Sequence, residues 1–113
     1  MKPMSDVFED DCMPDPAAGV IPEGALSRQL PIINRKGLHA RASAKFVQTV
    51  ERFDAEVSVT RCGETVGGRS IMGLLTLAAA KGTTILVAAT GNEAAQALDA
   101  LTDLLANRFG EEE

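Results

Sequence analysis

The chain of 113 residues has no tryptophan and no tyrosine, and aromatic residues make up only 4% of it. Its core must therefore be assembled from leucine, isoleucine, valine, alanine and methionine, with a few phenylalanines. Cysteine is scarce: Cys12 and Cys62 are the only two, too few for a disulfide framework and too far apart in sequence for a CxxC metal motif. With a single histidine, His39, beside them, no structural zinc site is expected. One histidine also excludes HExxH, and the chain contains neither GxSxG nor GxxxxGK[ST]. Hydrolase and NTPase chemistry thus lack their usual machinery, and no cofactor is expected. No apolar stretch approaches the roughly 18 residues of a membrane span. The N-terminus lacks the basic start and apolar run of a signal peptide. A soluble cytoplasmic protein without a membrane partner is the expectation.

Basic charge is short as well, with 11 Lys and Arg against 16 Asp and Glu and a net charge of −5. The whole deficit falls in residues 1–24, where six acids face Lys2 alone. Residues 25–110 carry ten basic and seven acidic side chains, and the last three residues are glutamates. A weakly basic body behind an acidic tail is a poor nucleic-acid binder, so no such partner is expected. Residues 1–24 also hold four of the five prolines. They read as a disordered or loosely held extension. One small domain is expected at residues 25–110, followed by an acidic tail at 111–113.

Within that domain, residues 25–33 (ALSRQLPII) read as a strand. Pro31 removes a backbone donor and assigns this strand to a sheet edge or a bulge. NRKG then makes a turn in which Gly37 is free to take positive φ. A helix starting near Ala40 would bury Phe46, Val47, Val50 and Phe53 on one face and exit at Asp54. EVSVT alternates as a strand, RCGE turns at Gly63, and TVGG returns as a short second strand. Ser70 stands where an N-cap belongs, and IMGLLTLAAAK reads as a helix stopped by Gly82. TTILVAAT is apolar almost throughout, as a central strand would be, and Asn92 is placed to cap the helix after it. Ala94, Ala97, Leu98, Leu101, Leu104 and Leu105 form that helix's buried stripe, with Glu93 and Arg108 suited to its dipole. The order β–α–β–β–α–β–α predicts an α+β two-layer sandwich, an open antiparallel sheet with helices on one face.

His39 sits at the loop-to-helix junction of GLHARASAKF. The amides of Ala40 and Arg41 open the helix, and free amides there attract anions. A phosphoryl group on the imidazole would meet those amides and the guanidinium of Arg41. An unperturbed imidazole is largely neutral, hence nucleophilic, near pH 7. The competing reading is an ordinary surface or capping histidine, and the residues around it leave both open.

KGLHARASAKFV resembles the active-site signature of the HPr family, the histidine-containing phosphocarriers of the bacterial phosphoenolpyruvate-dependent phosphotransferase system. GGRSIMGLLTLAAAKGT resembles the same family's regulatory-serine helix, and the resemblance covers about residues 25–110. It implies a four-stranded antiparallel sheet of order 1-4-2-3 with three helices on one face. It implies that His39 accepts phosphate at Nδ1 from enzyme I and passes it to a IIA-type protein. Such a protein is a stoichiometric carrier and not an enzyme, and a monomer is expected. Arg41 matches the arginine that supports the phosphohistidine. Ser70 matches the serine that a kinase phosphorylates, and a phosphorylase restores, in some bacteria. The family usually has proline after that arginine, and here Ala42 stands in its place. In this the chain is similar to the nitrogen-related regulatory branch, where phosphate goes to a regulator and not to a sugar transporter.

Phosphate on Ser70 would add about −1.5 to −2 charge and repel an acidic partner docked beside His39. Arg35, Lys36, Lys45 and Arg69 are candidates to steer such partners, although each alone reads as a solvated charge. Ile71, Met72, Leu74 and Leu75 cannot all face inward on one helix, so Ile71, Met72 and Leu75 are candidate docking residues. Two rival readings remain. One is a regulatory binding module of the same fold controlled at Ser70. The other is a small-molecule-binding α+β domain, whose only Gly-rich candidate loop, GETVGG, reads better as a hairpin.

Overall fold

The computed structural model describes residues 24–111. The reading of the N-terminal extension falls, apart from Gly24, outside the described residues, as do Glu112 and Glu113. The elements are β1 (Leu26–Pro31), α1 (Ala40–Val50), β2 (Glu56–Arg61), β3 (Glu64–Gly67), α2 (Ile71–Thr76), β4 (Thr84–Thr90) and α3 (Ala94–Ala106), then a short 3₁₀ turn at Arg108–Gly110. The four strands form one antiparallel sheet in the order β1-β4-β2-β3. No helix among the described residues is long and apolar enough to cross a membrane.

Pro31 ends the edge strand β1 opposite Thr84, as a residue without a backbone donor requires. Alternation decides which face is buried. Leu30, Ile85, Val87, Ala89, Val57 and Val59 share one side of the sheet and join the core with Phe46, Val50, Leu98, Leu101 and Phe109 from the helical layer. Leu86 and Ala88 point the other way and lie outside that core, yet both are buried. In register beside them stand Gln29 and Thr60, and Ser27 and Ser58. The far face is thus less open at its centre than an exposed sheet face would be.

The α3 stripe packs as its spacing predicts, with Ala94, Ala97, Leu98, Leu101 and Leu105 buried and Leu104 partly so. Arg28 of β1 reaches across to Asp99 at 2.7 Å and to Thr102 at 2.9 Å. That ion pair is exposed and worth at most about 1 kcal/mol, whereas fully burying one leucine contributes about 1.5–3 kcal/mol. The apolar stripe, not the ion pair, fixes α3 on the sheet.

The first helix ends at Val50, short of the expected exit at Asp54, and leaves Phe53 outside it and only partly buried. Two further expectations need correction. The helix predicted over residues 71–81 stops at Thr76. Its alanines favour helix, but Ala78 takes φ 52 and the carbonyls beyond Thr76 are captured from elsewhere. Leu77 O accepts from Arg61 at 3.1 Å, and Ala79 O accepts from the Leu38 amide at 2.9 Å. Asn92 does not cap α3. Its side chain donates to Asp54 at 3.0 Å, and Glu93 occupies the cap position without a side-chain capping bond. Glu93 Oε1 instead accepts from the Asp54 amide at 2.7 Å, which ties α3 to the loop after α1.

Candidate functional site

The loop before α1 is zipped to the segment after α2. Ile32 N donates to Thr83 O, Gly82 N to Ile32 O, and Leu38 N to Ala79 O, all at 2.8–2.9 Å. Gly37 makes this approach possible: its φ is 69, and a Cβ there would lie 2.5 Å from Ala79 O. Leu38 is buried and anchors the loop, leaving His39 at the helix entrance.

His39 is the N-cap of α1, in extended conformation, with its side chain 28% exposed. Nδ1 accepts a hydrogen bond from the Arg41 amide at 3.2 Å. The first intrahelical bond is Ser43 N to His39 O, so the amides of Ala40, Arg41 and Ala42 precede it. Nε2 is hydrogen-bonded to Oε2 of Glu111. The two bonds assign the tautomer together: an Nδ1 that accepts is unprotonated, and the proton lies on Nε2, directed at a carboxylate. The nucleophilic lone pair therefore points at the helix N-terminus. Arg41 is exposed beside it, and its guanidinium has no partner among the described residues.

Glu111 and Asn34 are the site residues that sequence reasoning misses. Asn34 is fully buried, and its Nδ2 donates to Gly37 O at 2.8 Å and to Glu111 Oε1 at 3.1 Å. Its Oδ1 is buried without a partner among the described residues, a cost of about 1–3 kcal/mol that the other contacts must offset. Burial pushes the Glu111 carboxyl up. Hydrogen bonds from Asn34 and His39 and the charges of His39 and Lys36 outweigh it and hold the group below its ordinary value of 4.5. Glu111 arrives here because Arg108 and Phe109 both take positive φ, near 55, and turn the chain back after α3. Phe109 is buried as the anchor of that turn, and Lys45 Nζ donates to its carbonyl at 2.6 Å. A contact between residues 72 apart leaves no local sequence signal. For Asn34, only the turn signal of NRKG was legible.

Ser70 is the N-cap of α2, exposed, with Oγ accepting from Gly73 N at 2.9 Å. Gly73 has no room for a side chain, since a Cβ would sit 2.9 Å from the Val66 side chain. Leu74 is the buried residue of α2; Leu75 is half-buried, Ile71 is 40% exposed and Met72 70% exposed. The basic residues divide. Arg35 and Lys36 are exposed on the loop before His39. Lys45 holds the C-terminal turn, and Arg69 is engaged by Glu56 at 3.4 Å and Ala55 O at 3.3 Å.

Similarity to known proteins meets this geometry. The family described as "PTS HPr component phosphorylation site" matches residues 26–107. The phosphocarrier protein HPr of Neisseria meningitidis serogroup A is 53% identical over 88 residues, which cover 78% of this chain and 99% of that protein. The phosphocarrier protein NPr of Shewanella violacea is 38% identical over 86 residues, 76% of this chain and 94% of that one. The crystal structure of HPr-C-His from Thermoanaerobacter tengcongensis superposes with a TM-score of 0.75 at 36% identity, over 78% of this chain and 99% of that one. Sequence and fold agree over the same stretch, and the chain belongs to the HPr family of phosphocarrier proteins of the phosphotransferase system.

Proposed function

We propose that His39 is the phosphoryl acceptor and donor, taking phosphate at Nδ1 from enzyme I and passing it to a IIA-type protein in the cytoplasm. The observation that carries this reading is the direction of the Nδ1 lone pair, toward the Arg41 amide at the open end of α1. On phosphorylation the lone pair becomes the N–P bond. The Arg41 amide then exchanges one acceptor for another, turning from nitrogen to a phosphoryl oxygen, with the Ala40 amide and the Arg41 guanidinium beside it. Such transfer rests on positioning and charge stabilisation, which amides at a helix start offer without reorganisation. Arg35, Lys36, Lys45, Arg69, Ile71, Met72 and Leu75 form the docking side of the carrier in this reading.

The test is incubation with enzyme I and labelled phosphoenolpyruvate beside His39→Ala. Acid-labile label in the wild type and none in the variant is the expected result. Equal labelling of the two would sink the assignment, and acid-stable label would move it to Ser70.

We further propose a regulatory acceptor in place of a sugar transporter. That reading rests on Ala42, which is buried in the first turn of α1. Identity is greater to the HPr-named relative than to the NPr-named one. A panel of purified IIA proteins decides it: faster transfer to sugar-specific acceptors than to a nitrogen-related one overturns the regulatory reading. Ser70, exposed at the start of α2 next to Ile71 and Met72, is proposed as the regulatory phosphorylation site.

A further inference from the structure

We infer that Glu111, clamped by Asn34, is a positioning residue for phosphoryl transfer at His39: it holds the imidazole in the tautomer that exposes Nδ1 and stays as counter-ion to the phosphorylated ring. The inference rests on the reading of His39 as phosphoryl acceptor and assigns a role to a residue outside the two signature segments.

The geometry is a three-part relay. Asn34 is fully buried and cannot swing, and its Nδ2 fixes one oxygen of Glu111. The other oxygen accepts from His39 Nε2. Glu111 is itself held at the end of a turn anchored by buried Phe109 and by Lys45. A carboxylate on one ring nitrogen fixes which nitrogen carries the proton and how the ring is oriented. Here that leaves Nδ1 unprotonated and aimed at the helix amides.

The chemical step then balances as follows. The Nδ1 lone pair attacks phosphorus of the donor's phosphohistidine. The Nδ1–P bond forms as the donor's N–P bond breaks, and the donor imidazole leaves with the bonding pair. Nε2 keeps its proton throughout, so the ring gains positive charge while that proton faces the Glu111 carboxylate. Without the carboxylate, only the Arg41 amide, at 3.2 Å, still opposes a proton on Nδ1, and the tautomer in which no lone pair remains there for attack gains population. The ring is also free to rotate away from the amides.

The experiment compares wild type, Glu111→Ala and Glu111→Gln in the full chain. The ¹⁵N shifts of the His39 ring in the unphosphorylated protein report the tautomer. Steady-state phosphorylation by enzyme I, with the carrier as varied substrate, reports the rate. Glu111→Ala is expected to shift the ring away from the pure Nε2–H tautomer and to lower kcat about tenfold with KM little changed. Glu111→Gln, which keeps an acceptor oxygen but loses the charge, falls between. Unchanged tautomer and unchanged kcat in Glu111→Ala would overturn the inference, and a rise in KM alone would make Glu111 a docking residue instead. Retention of the wild-type amide spectrum shows that the variants fold. Failure of the underlying reading looks different: His39→Ala is then labelled as well as the wild type.

Discussion

The two helix starts of this domain, His39 at α1 and Ser70 at α2, are built alike and differ in everything around them. Both caps are extended, and both side chains accept a hydrogen bond from a backbone amide of their own helix. α1 runs eleven residues with Phe46, Val47 and Val50 buried beneath it; α2 runs six and buries Leu74. His39 is met from the side by Glu111, itself held by Asn34, whereas the hydrogen bonds of Ser70 among the described residues are all to its own chain neighbours, Gly67, Gly73 and Leu74. An N-cap is therefore not in itself a reactive site. What sets His39 apart is a buried scaffold that assigns its protons. Ser70 sits on a short helix beside exposed Ile71 and Met72, the setting of the proposed modification site.

The largest predicted effect separates the two caps outright. His39→Ala abolishes acid-labile labelling by enzyme I, while Ser70→Ala keeps the initial rate within about twofold; loss of labelling in both would erase the distinction. Next come the anchors beneath the two helices. Phe46→Ala is expected to cost about 3–5 kcal/mol and Leu74→Ala about 2–5 kcal/mol in urea melts. Hydrogen exchange should show the Leu74 variant loosened chiefly in α2.

A functional link between the two ends is expected at smaller scale. Ser70→Asp preserves the cap and should slow phosphoryl acceptance at His39 by roughly tenfold through repulsion of an acidic partner. A rate equal to wild type removes Ser70 as a switch. Ser70→Ala, by contrast, should lower stability by about 1 kcal/mol, the usual cost of a lost serine cap.

The smallest effect belongs to the His39 end alone. The folded-state value of Glu111 is depressed, so its stabilising contribution is present above its unfolded value of 4.5 and is lost as pH falls through the lower folded value. Thermal melts of wild type and Glu111→Gln should differ near neutrality and converge in acid. A difference that grows as pH falls would contradict the assignment.

How much of this was legible depends on sequence range. Pro31 marked an edge strand because a missing donor is a local fact. The α3 stripe and the Ser70 cap were readable for the same reason. α2 was drawn too long because its alanines favour helix, while Arg61 and Leu38, from elsewhere in the chain, take the carbonyls a longer helix would have used. Asn92 resembled a cap until Asp54 claimed its side chain.

By itself the sequence determined the order of elements, the faces that pack, and His39 with Arg41 at a helix start, since periodicity and capping act over a few residues. Only the tertiary structure decided that Nε2 meets an acceptor, which leaves the lone pair on the Nδ1 that the neighbouring Arg41 amide already favours. That choice depends on a carboxylate 72 positions away, delivered by a left-handed turn and held by a buried asparagine. Protonation at a single nitrogen is set by the nearest hydrogen-bond partner in space, and no local pattern in the chain encodes that distance.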